Sequence, residues 1–303
     1  MELSRTVAVN VFIMFALMCF GVIAVKARLI SKNSTGDFTK LLLYMVSPSV
    51  IVVAFCRDFD PRMAKMMAIA TVASVFLYIV GILLAMVAFK KAPDRSHSVP
   101  RYAAVFPNSG FMGIPLLQAV LGADGVMLAM PFVFAYNAFT WTTGVYMMSG
   151  DKKSISLKKI FLNPNILAMI AGLALFILPV QLHENIQAPI NFLAQVNTPL
   201  AMILLGTYLV GLDFKKAFKT KEIYISCAIK LAIMPMLALL LCKACRLDQL
   251  LTQAIVISMA CPSAAATSML AAMYDLDTGF GAMLTSVSTI LCLLTIPLIS
   301  MLV

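Results

Sequence analysis

Long apolar runs, separated by short polar and basic breaks, cover nearly the whole of this 303-residue chain. The runs are 7–25, 38–56, 64–89, 102–121, 126–148, 165–178, 190–210, 223–242, 250–274 and 280–303. A helix of about 20 apolar residues crosses the roughly 30 Å hydrocarbon core of a bilayer. The pattern predicts an all-α polytopic membrane protein with ten transmembrane helices, numbered here 1 to 10 in that order, helix 6 being the shortest. The first run is 19 residues long with no small-x-small site after it. It is longer than the h-region of a signal peptide and is read as a spanning helix. A polar stretch over 150–159 divides the chain at its midpoint. The expected organisation is a five-helix repeat over 1–149, a short cytoplasmic linker over 150–162 and a second five-helix repeat over 163–303.

Composition agrees with the pattern. Hydrophobic residues make up 62% of the chain, charged residues 12%, and the mean hydropathy is +0.97. Soluble domains carry about 25% charged residues. An ordinary soluble enzyme and a disordered chain are both excluded. The net charge of +10 would suit nucleic acid, but the Lys and Arg fall in short clusters between apolar runs. That is a topology signal, and no nucleic-acid partner is expected. The loops after helices 1, 3, 5 and 7 carry 16 of the 23 basic residues, the opposite side carries six, and Lys230 lies inside helix 8. The richer side should be cytoplasmic, leaving both termini extracytoplasmic in the cell membrane. Among the seven Cys only Cys242 and Cys245 are closely spaced, and their position near a helix end reads as packing rather than redox chemistry.

The halves also match. Pro48 and Pro199 are 151 positions apart, as are Asp124 and Asp275, and Pro107 and Pro262 are 155 apart. Five helices per half is an odd number, so the second half must enter the membrane inverted. Inverted repeats with broken helices near the midplane are a transporter signature.

Helix 4 is where chemistry is expected. It reads Phe106-Pro107-Asn108-Ser109-Gly110-Phe111-Met112-Gly113-Ile114-Pro115, which cannot form a regular helix. Helix 9 carries Cys261-Pro262-Ser263-Ala264-Ala265-Ala266-Thr267-Ser268. Bare backbone in hydrocarbon costs several kcal/mol, so such breaks survive only inside protein or along a wet cavity. If the two cross, half-helix N-termini point at the midplane and suit an anion. Candidate binding residues are Asn108, Ser109, Gly110, Gly113 and Pro115 in helix 4, and Pro262, Ser263, Thr267 and Ser268 in helix 9. All 13 Asp and Glu are placed in loops or at helix ends, which makes a cation site hard to build. Lys230 either attracts the anion or snorkels to the cytoplasmic interface. His183-Glu184-Asn185-Ile186-Gln187 lacks the second His of a zinc-protease helix. Neither an enzyme, nor a metal, nor a cofactor is expected.

The stretch Asn108-Ser109-Gly110-Phe111-Met112-Gly113-Ile114-Pro115-Leu116-Leu117 resembles the Pro-Asn-Thr-x-x-x-Gly-x-Pro-Leu stretch of the auxin efflux carrier family. That family includes plant PIN carriers and bacterial permeases for malate or malonate. Asn163-Pro164-Asn165 is similar to the family's Asn-Pro-Asn motif. The resemblance implies a scaffold of helices 1, 2, 6 and 7, a transport domain of helices 3–5 and 8–10, a homodimer and elevator-like movement. It also implies ligand contacts from Asn108 and from Asn163 or Asn165. The family's crossing proline in helix 9 would fall near Thr267, so a softer second crossover is expected. Ile166 and Leu167 stand where plant carriers have Tyr, and the central loop is short, which points to a bacterial-type permease.

Together these readings describe a secondary transporter for a small organic anion, a mono- or dicarboxylate, built as a 5+5 inverted repeat with broken, crossing helices 4 and 9. Alternatives are a sodium- or proton-coupled symporter of bile-acid-transporter type and a ligand-binding membrane sensor. Topology supplies a direct check. On a background without native Cys, Ser154→Cys should be protected from an impermeant thiol reagent in intact cells, and Gln187→Cys should react. The opposite labelling would invert the orientation.

Overall fold

The structure, a computed structural model, describes residues 2–90, 97–178, 182–210, 217 and 219–303. Lys91, Arg95, Lys215 and Lys216 of the predicted basic loops lie outside the described residues. Within them the protein is all-helical, with one isolated backbone bridge and no strand. Among the described residues seven helices are long and apolar enough to cross a membrane, and eight if the bent pair Lys152–Phe161 and Pro164–Ile177 is one span.

We label the main elements in chain order. They are α1 (Leu3–Lys26), α2 (Ser34–Phe55), α3 (Pro61–Ala88), α4 (Ser98–Val105), α5 (Ser109–Ser149), α6 (Leu157–Phe161), α7 (Pro164–Ile177), α8 (Glu184–Tyr208), α9 (Lys221–Ala244), α10 (Gln249–Ala260), α11 (Ala266–Met273) and α12 (Thr278–Ser300). Predicted helices 4 and 9 are each split, into α4 with the start of α5, and into α10 with α11. The 41-residue α5 also takes in predicted helix 5. It turns at Gly122, whose φ of 65° and ψ of −148° suit a residue without Cβ.

Prolines explain three of the irregular turns inside the long helices, though not the one at Thr140–Gly144. Each removes a backbone donor and crowds the carbonyl four residues earlier. Wide π-helical turns at Leu42–Val46, Ser109–Gly113 and Ile229–Ile233 directly precede Pro48, Pro115 and Pro235. Widening the turn moves the crowded carbonyl away while keeping the helix continuous.

Acidic residues cap helix starts. Asp60, Asp248 and Asp277 each accept a backbone N–H at the start of α3, α10 and α12, at 2.8, 3.0 and 2.8 Å. A carboxylate there satisfies an orphan donor and meets the positive end of the helix dipole. Asp248 also pairs with Arg62 at 2.7 Å, joining the starts of α3 and α10. Its hydrogen bond from Arg62, aided by the cap, holds its carboxyl below the usual carboxylate range. The stability it adds is present above the ordinary carboxylate pKa and is lost as pH falls through the lowered value. Arg57 pairs with Asp124 beside the α5 bend.

Two helix pairs that pack closely are α1 on α8 and α2 on α7. In the first, Gly21 lies against the Ile203 carbonyl and Gly206 against the Met18 carbonyl, so the backbones nearly touch. Without a hydrophobic drive between helices in lipid, association depends on such close packing. In the second, Gly172 faces the Phe55 ring. Ser47 in α2 also donates to Asn197 in α8 at 3.0 Å.

The α1–α8 contact leaves no room for a side chain. Gly206→Ala would drive a Cβ into the Met18 carbonyl. We expect a loss of about 1–3 kcal/mol, read as a lower thermal unfolding midpoint in detergent. Gly36→Ala, where nothing lies within 4 Å of the added carbon, should be neutral or slightly stabilising. Equal midpoints for the two variants would show that the close approach does not hold the helices together.

Candidate functional site

The two breaks cross and satisfy each other. Asn108 N–H donates to the Pro262 carbonyl at 2.7 Å, and Ala264 N–H donates to the Phe106 carbonyl at 2.8 Å. This antiparallel bridge pairs Pro107 with Ser263. Ser263 adds two bonds, its hydroxyl donating to the Ala103 carbonyl at 2.8 Å and its N–H to the Ser288 hydroxyl at 3.1 Å. Thr285 donates to the Ala264 carbonyl at 3.2 Å. A break with its backbone paired in this way can persist at membrane depth.

The crossing therefore lies at Pro262–Ser263, with a proline in each of the two crossing segments. The expectation of a softer crossover near Thr267 is corrected. Thr267 is fully buried within the first turn of α11, and its hydroxyl bonds the Ala264 carbonyl at 2.6 Å. Ser268 packs against Gly281 of α12. Pro262 and Ser263 are structural parts of the crossing, while Thr267 and Ser268 shape the half-helix that follows it.

On the helix-4 side, Asn108 caps the restarted helix, its Oδ1 accepting from Phe111 N–H at 3.4 Å. Its Nδ2 is buried without a partner, and so is the Ser109 hydroxyl. A buried donor left unmade costs about 1–3 kcal/mol, so two together are exceptional. Next to them, a Cβ built on Gly110 would meet nothing within 4 Å, so the N-terminus of α5 borders open space. Gly113 lets the chain pass the Cys261 sulfur, and Pro115 starts the regular part of α5.

Lys230 is fully buried. Its ammonium donates to the Met259 carbonyl at 3.2 Å, in the last turn of α10 where the break exposes carbonyls. The negative end of a helix dipole favours a cation there. Snorkelling is thus not what this lysine does. Among the described residues no carboxylate pairs with it, and Cys261 is the ionisable side chain it faces. Cys261 in turn adjoins Gly113 and Tyr78. Tyr78 packs its ring on Phe106 and Phe139, and its hydroxyl lies beside that of Ser109. The structure therefore gathers Asn108, Ser109, Gly110, Gly113, Lys230, Pro262 and Ser263 around the crossing. Tyr78 and Cys261 belong to this group and were not anticipated. Both sit in apolar runs whose sequence does not tell an inward residue from a lipid-facing one.

Asn163 and Asn165 form a second polar group. Asn163 caps α7 by accepting Asn165 N–H at 2.9 Å, and its amide donates to Asn137 of α5 at 2.9 Å. The buried Asn165 Oδ1 has no partner. Asn163 lines a cavity of about 380 Å³ with Tyr44, Trp141, Lys158 and Lys159. A larger cavity, about 570 Å³ between α3, α5 and α7, is almost wholly apolar and holds none of the candidate residues.

Comparison with known proteins agrees with this architecture. The family profile described as membrane transport protein, that of the auxin efflux carriers, matches residues 6–300. The chain is 23% identical over 299 residues to the uncharacterized transporter YfdV of Escherichia coli (strain K12), covering 93% of each chain. It is 22% identical over 295 residues to an uncharacterized transporter of Methanothermobacter thermautotrophicus, covering 95% of this chain and 96% of the relative. A similar transporter of Methanocaldococcus jannaschii is 23% identical over 301 residues, with 95% and 96% covered.

The burial of Lys230 makes a prediction independent of any ligand. An ion buried without a counter-charge is destabilising, and a same-sized apolar side chain removes that burden. Lys230→Met should leave the unfolding temperature of the ligand-free protein unchanged or raise it. A clear fall would show that the ammonium is held by more than the Met259 carbonyl.

Proposed function

The chain belongs to the membrane transport protein family of auxin efflux carriers, and on that premise we propose that this membrane transporter carries a small organic anion, a mono- or dicarboxylate. The observation that carries the anion reading is the buried ammonium of Lys230, bound to a neutral carbonyl beside the crossing. A carboxylate arriving there supplies the missing counter-charge. The free Nδ2 of Asn108 and hydroxyl of Ser109 are the neutral donors that would orient it, at a half-helix N-terminus that itself favours anions. A cation substrate would meet the same positive charge and be repelled.

The proposed framework is ten spans arranged as a 5+5 inverted repeat. The match of α1 with α8 and of α2 with α7 supports it, because exchanging the halves exchanges these two pairs. The reciprocal bridge of Pro107 with Ser263 supports it too. Helices 1, 2, 6 and 7 would form the scaffold and helices 3–5 and 8–10 an elevator-like transport domain. The protein would act as a homodimer in the cell membrane with both termini extracytoplasmic. Asn163 and Asn165 would meet the anion as the transport domain passes the scaffold.

Asn108 separates a ligand contact from a helix cap. Asn108→Ala removes a donor to a charged group, worth about 1.5–3 kcal/mol. That is roughly 10- to 150-fold in affinity. Malate, malonate, lactate and pyruvate should each be screened for thermal stabilisation of the purified protein and for counterflow in proteoliposomes. We expect the variant to lose binding and transport of whichever of these the wild type takes. A destabilised variant with wild-type affinity would make Asn108 a cap alone, and wild-type protein indifferent to every carboxylate would sink the anion reading.

A further inference from the structure

Lys230 has a consequence for energy coupling that rests on the anion reading above. In the loaded carrier its ammonium and a monoanion neutralise one another inside the membrane. In the empty carrier the same ammonium would have to cross alone, with the Met259 carbonyl as its recorded partner. Moving an unpaired charge through hydrocarbon is the most expensive step such a cycle could contain. The side chain can escape it, because a lysine amine releases a proton where an arginine does not.

We propose that Lys230 is the coupling residue: it crosses protonated with the anion, releases its proton on the side where the anion leaves, and returns as the neutral amine. The balance is simple. On the loading side the amine takes up one proton and one monoanion binds. On the other side the anion dissociates and the N–H bond gives up its proton to water. One proton and one monoanion move together, no charge crosses per cycle, and no metal cation takes part. A dianion leaves one charge over, so its transport follows both pH and membrane potential.

The surroundings of Lys230 fit a group that changes charge. It sits in the π-helical turn Ile229–Ile233, against α4, α10 and α12. The ionisable groups on these elements are Arg101 and Tyr102 of α4 and Cys292 of α12, with Cys261 at the end of α10. Its own helix adds Lys221, Glu222, Tyr224, Cys227, Cys242 and Lys243. Glu222, the one carboxylate among them, lies 3.8 Å from His97, two turns nearer the helix start than Lys230. Arg101 is engaged with the Phe89 carbonyl. Nothing on the packed faces fixes the lysine's charge by pairing with it. When the proton leaves, the amine still donates to Met259, so the C-terminal carbonyls of α10 keep a partner.

The test uses purified full-length protein in proteoliposomes, with radiolabelled pyruvate, lactate, malate and malonate as probes and protein-free vesicles as background. Wild-type net uptake of a monocarboxylate should rise with an acid-outside gradient and reach about tenfold accumulation per pH unit. It should ignore a potassium–valinomycin potential and the replacement of sodium by choline. Lys230→Arg keeps the charge but cannot shed it, so net uptake should fall at least about tenfold more than homoexchange of the same anion. Lys230→Met should lose the response to pH. Exchange that proceeds while net uptake follows potential or sodium and ignores pH overturns the coupling role and leaves the anion reading standing. Absence of exchange for every probe overturns both. If the arginine variant is not monodisperse, the wild-type pH and potential dependence decides alone.

Discussion

Two backbone hydrogen bonds hold the centre of this protein together. Asn108 N–H to Pro262 and Ala264 N–H to Phe106 each close a break that the other opens. In hydrocarbon a bare amide or carbonyl costs several kcal/mol, so neither helix could be interrupted alone. The prolines at 107 and 262 create the interruptions and the bridge makes them tolerable. Much of the nearby sequence follows from this requirement. Ser263, Ala264 and Gly113 are small because two backbones and a cysteine sulfur occupy the space. Ser288 and Thr285 of α12 supply hydroxyls because the bridge leaves further backbone groups to be paired.

How much of this is legible in the sequence depends on what each feature obeys. Span positions follow from apolar length, and the predicted bounds of helices 1, 3, 6, 8 and 10 fall within a few residues of the observed ones. The breaks were visible because Pro and Gly in an apolar run have few other readings. Their crossing partner was less so: the small-residue run after Pro262 offers several places for two backbones to meet, and the family pattern pointed to Thr267 rather than Ser263. The burial of Lys230 was not legible at all. The run Ile-Lys-Leu-Ala-Ile around it is apolar on every side and gives no inward face. Tyr78 was hidden for the same reason, since an aromatic in a spanning helix looks alike toward lipid or core. Asn108 could be read because a polar amide at a break has either to cap or to bind, and here its Oδ1 caps while its Nδ2 has no partner.

Charge is distributed in a way that sets this interior apart from the edges. At the helix ends Arg57 meets Asp124 and Arg62 meets Asp248, partly exposed pairs that tie neighbouring elements and have water to share their charge. Such pairs are individually weak. At the crossing the opposite arrangement holds: several neutral donors, one ammonium, and no permanent partner. An unpaired neutral amide or hydroxyl costs less in a low-dielectric interior than an unpaired charge, whereas a fixed ion pair there would bind nothing further. The one buried cation there is Lys230, and among the described residues no carboxylate of the protein pairs with it. The position of this lysine has a structural reason. The α10 break leaves carbonyls at a negative helix end, which an amide or hydroxyl donor would satisfy in part and a cation satisfies better. Lys230 meets the helix end with one N–H to the Met259 carbonyl and has donors left over, so the charge reaches the broken helix without being balanced there.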